Sequence, residues 1–256
     1  MANGIFNLDS GVSASHRGFR GPTLSPDVCP GVYALYLFGA ELPSGFPSTD
    51  SRPQSLSDYS NFRQYLTEIG ATTLNPSSVI VDGTNYFVAP FSVDDVAAEN
   101  GEITFIAVGK WTTDLCGVVG NYNGTAQDGT GILIGGGGQY QMVANAEGGA
   151  AVVAAIPVDA AFNDWEMLAM TADVTSVIAY KYNTTGVATP VVTATGYIPA
   201  GANLVRIGRS TSGTYTGAQE LGLIFVSKIT MSQVQLAAFY AEVQAWFAGL
   251  DTPVTV

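Results

Sequence analysis

The chain has 256 residues, of which 47% are hydrophobic and only 12% charged, with a formal net charge of −12. Such a length can bury one large core, or one core with an appendage. The acidity argues against a nucleic-acid partner, and no apolar run reaches the roughly eighteen residues of a membrane-spanning helix.

The opening MANGIFNLDSGVSASHRG has neither a charged region nor an apolar stretch of secretory type, so synthesis in a cytoplasm without a signal peptide is expected. Up to about residue 60, Gly4, Gly11, Gly18, Gly21, Pro22, Pro26, Pro30, Pro43, Pro47 and Pro53 interrupt any regular element. Only Val32–Phe38, VYALYLF, reads as a strand. Extended chain must satisfy its backbone by pairing, so this leader is either an arm crossing to a neighbouring subunit or a partly disordered extension. Asp58–Ile69 reads as a short helix capped by Ser57 and ended by Gly70, with Phe62, Leu66 and Ile69 as its apolar stripe.

From there strands recur at steady spacing. Val79–Val81 and Asn85–Phe91 flank the turn signal Asp82-Gly83. They are followed by Glu102–Lys110, Cys116–Gly120, Gly131–Gly135, Gln139–Asn145, Ala150–Ile156, Trp165–Ala172, Val174–Tyr182 and Val187–Thr195. The four glycines 135–138 read as a tight turn, because no Lys-Ser/Thr follows to make a phosphate loop. Many short strands with Gly, Asn and Asp between them specify two packed antiparallel sheets.

Leu204–Ile207 forms a further short strand, and Glu220–Lys228 is apolar on both faces, as a strand between two layers must be. Thr230 then opens a helix through a capping box with Gln233. Leu236, Tyr240, Val243 and Phe247 make its apolar stripe, and Gln233, Gln235, Glu242 and Gln244 lie away from it.

This closing segment resembles that of the concanavalin A-like, laminin G-like jelly rolls, on Gly217, Glu220, Leu221, Phe225, Ile229, Thr230, Gln233 and Val234. Upstream, Asp164–Thr171 resembles the family's Trp-centred strand, and Ile178–Gly186 its aromatic strand and Asn-Gly turn. The resemblance spans roughly Val79–Ala248 and implies an all-β, two-sheet antiparallel jelly-roll sandwich with a C-terminal amphipathic helix. The expected division is an N-terminal arm and short helix over 1–75, the sandwich over 76–250 and a tail over 251–256. Residues 1–75 carry four basic and six acidic side chains against five and fifteen in the remainder, so the acidity belongs to the sandwich.

Chemical motifs are sparse. His16 is the only histidine and lies outside the sandwich, which leaves nucleophilic triads without a base. Cys29 and Cys116 read as isolated reduced thiols. Laminarinase-type members of the superfamily carry Glu-x-Asp-x-x-Glu on one strand; here the nearest candidate, Asp164-Trp165-Glu166, lacks both the spacing and the third carboxylate. No enzyme is therefore expected, with a degenerate or active polysaccharide hydrolase as the alternative. Asp94, Asp95, Asp114, Asn121, Asn123 and Asp128 offer oxygens for calcium, but not at the spacing of a dedicated loop, and no cofactor is expected. For carbohydrate, an aromatic face beside amide donors is the useful chemistry. Trp111, Tyr122, Tyr140 and Tyr215 near Asn121, Asn123 and Gln139 mark the place to look, although each alone has a structural reading.

With so few charges, the chain is expected either to have much of its surface covered in an assembly or to be a weakly charged soluble lectin-like domain. The combined expectation is a bacteriophage virion component, in head decoration, baseplate or tail. It would be a homo-oligomer held to other virion subunits by its leader, and its lectin-like body could touch glycans. Deleting residues 1–55 is then expected to leave a folded body that no longer incorporates.

Overall fold

The computed structural model describes residues 28–39, 64–111, 115–123, 129–144, 152–158, 163–184, 186–187, 189–194, 199–250 and 253–256. Its strands are β1 (Val32–Leu37), β2 (Thr67–Ile69), β3 (Thr73–Asn75), β4 (Ser78–Val81), β5 (Tyr86–Ser92), β6 (Ile103–Trp111), β7 (Cys116–Gly120) and β8 (Gly131–Gly135). They continue as β9 (Gln139–Ala144), β10 (Val152–Pro157), β11 (Trp165–Ala172), β12 (Ser176–Asn183), β13 (Gly186–Val187), β14 (Val191–Ala194), β15 (Leu204–Ile207) and β16 (Gln219–Ser227). Helix α1 is Val93–Ala97 and α2 is Gln233–Ala248. Among the described residues one sheet runs β13-β12-β11-β6-β16-β4-β3, with β1 also on β16 and β14 on β12; the other runs β10-β9-β8-β7-β15-β5-β2. Every pairing is antiparallel, and the two sheets stack as the expected sandwich.

Alternation along the strands divides the interior in two. On β11, Leu168, Met170 and Ala172 face the space between the sheets, where Phe87, Phe91, Phe105, Trp111 and Ile134 also lie. Met167 and Ala169 face the other way and meet α2 with Phe225, Leu223 and Tyr182. The first sheet is thus buried on both faces, which is why β16 reads LGLIFV without polar alternation.

The leader strand departs from expectation in its partner. β1 pairs with β16 of its own chain, from Val32 opposite Ser227 to Leu37 opposite Leu223, in line with β4, which takes Gln219–Leu221 on the same edge. Ala34, Tyr36 and Phe38 enter the space between the sheets while Leu35 and Leu37 face α2. This segment is therefore core strand rather than an arm to a neighbour, and a division after residue 75 would cut it from its sheet. The remainder of the expected arm lies outside the described residues. So does the first half of the expected helix Asp58–Ile69, and its described end is strand β2, paired with β5 through Thr67–Ile69. The open edge of β5 outweighs the helical spacing there.

Helix α2 forms where expected, with Leu236, Phe239, Tyr240, Val243, Trp246 and Phe247 buried. Its capping box begins two residues later than the sequence suggested: Ser232 and Gln235 make the reciprocal bonds. Thr230 is held extended instead, its amide and hydroxyl both donating to the Glu102 carboxylate (2.8 and 3.1 Å). Close docking depends on Gly222, where a Cβ would lie 2.5 Å from the Phe247 ring.

Candidate functional site

The structure separates the residues singled out for carbohydrate. Trp111 ends β6 pointing inward and is fully buried, because an odd-numbered position there faces the same layer as Phe105. Tyr140 is fully buried in β9, its hydroxyl donating to Glu166. Asn121 is buried as a loop clamp: its amide donates to the carbonyls of Gly201 (2.7 Å) and Asn203 (2.9 Å), and its oxygen accepts the Thr130 amide (2.8 Å). These three are structural. Gln139 is exposed at the start of β9, and Asn123 is half-buried beside Tyr122. Of the set, Tyr122 and Tyr215 are brought into ring contact, edge to face at 5.9 Å.

That contact is made by a hairpin, residues 209–216, folded back over the outer face of the second sheet. The Ser210 amide donates to the Tyr215 carbonyl (3.1 Å) and the Thr211 amide to that of Tyr122 (2.9 Å). Beneath it lies Gly117, where any Cβ would collide with the Ser210 nitrogen and the Arg209 carbonyl carbon. Burial and the neighbouring Tyr122 hydroxyl both push the Tyr215 phenol up, so it stays neutral.

Beside this hairpin the sequence reading missed a cluster. On β5, Phe87, Ala89 and Phe91 point inward, so Tyr86 points out; on β15, Val205 and Ile207 point inward, so Arg206 points out. The guanidiniums of Arg206 and Arg209 both lie over the Tyr86 ring, 5.6 and 5.2 Å from its centre. Arg209 also donates to the Gly83 carbonyl (2.8 Å) through one terminal nitrogen, while its Nε is buried without a partner. Among the described residues neither arginine has a carboxylate within salt-bridge distance. The available signal was the alternation itself, since odd positions inward on β15 force Arg206 outward.

The turn that receives Arg209 is set by Asp82. Its carboxylate accepts the amides of Thr84 (2.7 Å) and Asn85 (2.8 Å). Burial alone would raise this carboxyl, but the bonds from Thr84 and Asn85 outweigh it and hold the pKa at about 2. A depressed carboxyl stabilises the fold above its unfolded pKa of 3.8 and loses that contribution as pH falls toward about 2. D82A should lower Tm at neutral pH by about 2–4 °C, and the gap from wild type should close across that acid window. A gap that stays constant with pH would refute this role.

Glu166, the second carboxylate of the Asp164-Trp165-Glu166 candidate, is fully buried between the sheets. It accepts from Tyr140 and from Asn183 (3.0 Å) and pairs with Lys181 at 3.5 Å. Asp164 is exposed on the preceding turn, so the two carboxylates do not share an open groove. Of the calcium candidates, Asp95 is occupied in the capping box with Ser92, whose bonds lower its carboxyl, and Asp94 accepts the Gly201 amide (2.8 Å). Asp114 and Asp128 lie outside the described residues. Among the described residues no three His, Cys, Asp or Glu side chains gather as a metal site, and no helix is long and apolar enough to cross a membrane. Both cysteines are buried and not joined by a disulfide, and the Cys116 thiol donates to the Ala218 carbonyl (3.7 Å); burial, with Glu242 nearby, pushes the Cys29 thiol far up.

No family model and no curated protein sequence matches the chain. The fold is similar to the receptor-binding domain of botulinum neurotoxin mosaic serotype C/D, with TM-score 0.58 and 8% identity over 85% of this chain and 51% of that one. It is also similar to the binding domain of botulinum neurotoxin DC in complex with SialylT, with TM-score 0.54 and 11% identity over 75% and 50%. A third likeness is to botulinum neurotoxin type C, whose uptake by cells depends on interaction with two ganglioside molecules, with TM-score 0.53 and 10% identity over 76% and 49%. The chain spans about half the length of these structures. At such identities the likeness establishes the fold, a two-sheet jelly-roll sandwich, and not a shared site.

Proposed function

We propose that this chain is a non-catalytic, lectin-like module that binds a saccharide on the outer face of the second sheet. The observation that carries the reading is the half-exposed set Tyr86, Arg206, Arg209, Tyr122 and Tyr215, gathered by β5, β15 and the 209–216 hairpin. Ring faces offer apolar contact to the C–H side of a pyranose, and guanidinium N–H groups donate to its hydroxyls. The fold likeness supports it, because the similar toxin domains are described with SialylT and with gangliosides. Hydrolysis is disfavoured because Glu166 is enclosed with its acceptor sites taken.

Screening the full chain on a glycan array should return saccharide ligands, and Tyr215→Ala or Tyr122→Ala should weaken the best of them about three- to tenfold. Failure to bind any saccharide would refute the reading, and release of reducing ends from laminarin would restore the hydrolase.

The narrower role of such a module is placement in a bacteriophage virion, in head decoration, baseplate or tail, as a homo-oligomer. Its support is the low charge content and the proline- and glycine-rich leader. Native mass spectrometry of the full chain tests it, with a monomer as the contrary result.

A further inference from the structure

We propose that the group recognised at Tyr86, Arg206 and Arg209 is an anion carried on the saccharide, a carboxylate or a sulfate ester. This deepens the carbohydrate reading and rests on it. Two guanidiniums share one ring, at 5.6 and 5.2 Å from its centre, which gathers two positive charges about a single aromatic side chain. A chain with 21 acidic side chains could have supplied a counter-ion here. Yet among the described residues the ion pairs fall elsewhere, Lys181 with Glu166 and Lys228 with Glu99.

Two carboxylates on the neighbouring elements are committed to backbone and hydroxyl groups: Asp82 to Thr84 and Asn85, and Glu68 to the amide (2.8 Å) and hydroxyl (2.6 Å) of Thr72. Arg206 has no hydrogen-bond acceptor among the described residues, and only one terminal nitrogen of Arg209 is used, on Gly83. The remaining N–H groups form forks that match an anion's paired oxygens. The Tyr86 ring holds both guanidiniums close to it. At physiological ionic strength the screening length is about 8 Å, so the chain's distant negative charge does little to oppose an anion at this spot.

The test uses the full chain and titration calorimetry with four probes: lactose, sialyllactose, a hyaluronan tetrasaccharide and a sulfated chondroitin tetrasaccharide. At least one acidic probe should bind about ten- to a hundredfold tighter than lactose, and Arg206→Gln should remove that advantage. Arg206→Lys should recover part of it, and Tyr86→Leu should weaken acidic and neutral probes alike. Sialyllactose or hyaluronan as the preferred probe identifies a carboxylate, and chondroitin sulfate a sulfate ester. If lactose binds as tightly as every acidic probe and Arg206→Gln changes nothing, the anion is overturned while the carbohydrate reading stands. If no probe and no arrayed glycan binds, both are overturned. Circular dichroism of each variant separates loss of binding from loss of fold.

Discussion

A chain shortened to begin after Phe38 should fail to fold, whereas one beginning at Val28 keeps every described element. The deleted strand supplies Ala34, Leu35, Tyr36 and Phe38 at 0% exposure and Leu37 at 3%, split between both faces of the first sheet. Burying a large apolar side chain contributes about 1.5–3 kcal/mol. Four such side chains therefore account for on the order of 10 kcal/mol, comparable to the roughly 5–15 kcal/mol that holds a domain together. The deletion also strips half of one edge of β16, exposing backbone groups that invite pairing with other chains. The shortened chain should be insoluble or lack a near-ultraviolet dichroism signal. A soluble product with cooperative melting at the wild-type Tm would show that β1 is dispensable.

Lys181→Ala and Glu166→Ala should each cost about 3–5 kcal/mol, because each strands a buried charge. Lys181 and Glu166 have side chains exposed by only 4% and 0%. Losing Glu166 also orphans the Tyr140 hydroxyl and the Asn183 amide, both of which donate to it. Replacing the pair together, as Glu166→Leu with Lys181→Met, should cost far less than either single change, since it removes both desolvated charges at once. Urea unfolding of the four proteins compares the two single losses with removal of the pair. Single variants within about 1 kcal/mol of wild type would mean that the pair is wetter than its enclosure indicates.

Much of the fold was legible because alternation and turn chemistry are local. Cys116–Gly120, Gly131–Gly135, Trp165–Ala172 and Leu204–Ile207 form with the bounds the residues suggested. The helix stripe of Leu236, Tyr240, Val243 and Phe247 is buried as its spacing requires. What could not be read was partnership across long separations. Nothing near Val32 indicates that its strand meets Ser227, and nothing near Thr230 indicates that Glu102 will draw it out of the helix. Ile69 has helical spacing from Leu66, yet the free edge of β5 takes it as strand.

The site was legible only in its tyrosines. Tyr122 and Tyr215 were named from composition, but Trp111 and Tyr140 were named on the same ground and point inward. An aromatic residue at a strand end looks the same in sequence whichever face it takes. Arg206 and Arg209 acquire meaning only when β5 and β15 lie side by side with Tyr86 between them.

The strand that β1 needs is also the last strand made. As the chain leaves the ribosome, β6 and β1 emerge early, but β16, which lies between them, arrives only after every other described strand. The larger sheet cannot close on the growing chain, and its greasy edges must wait, shielded by chaperones or by the ribosome surface. Assembly of this sandwich therefore waits for β16, and its yield in a cell is set by how well that interval is protected.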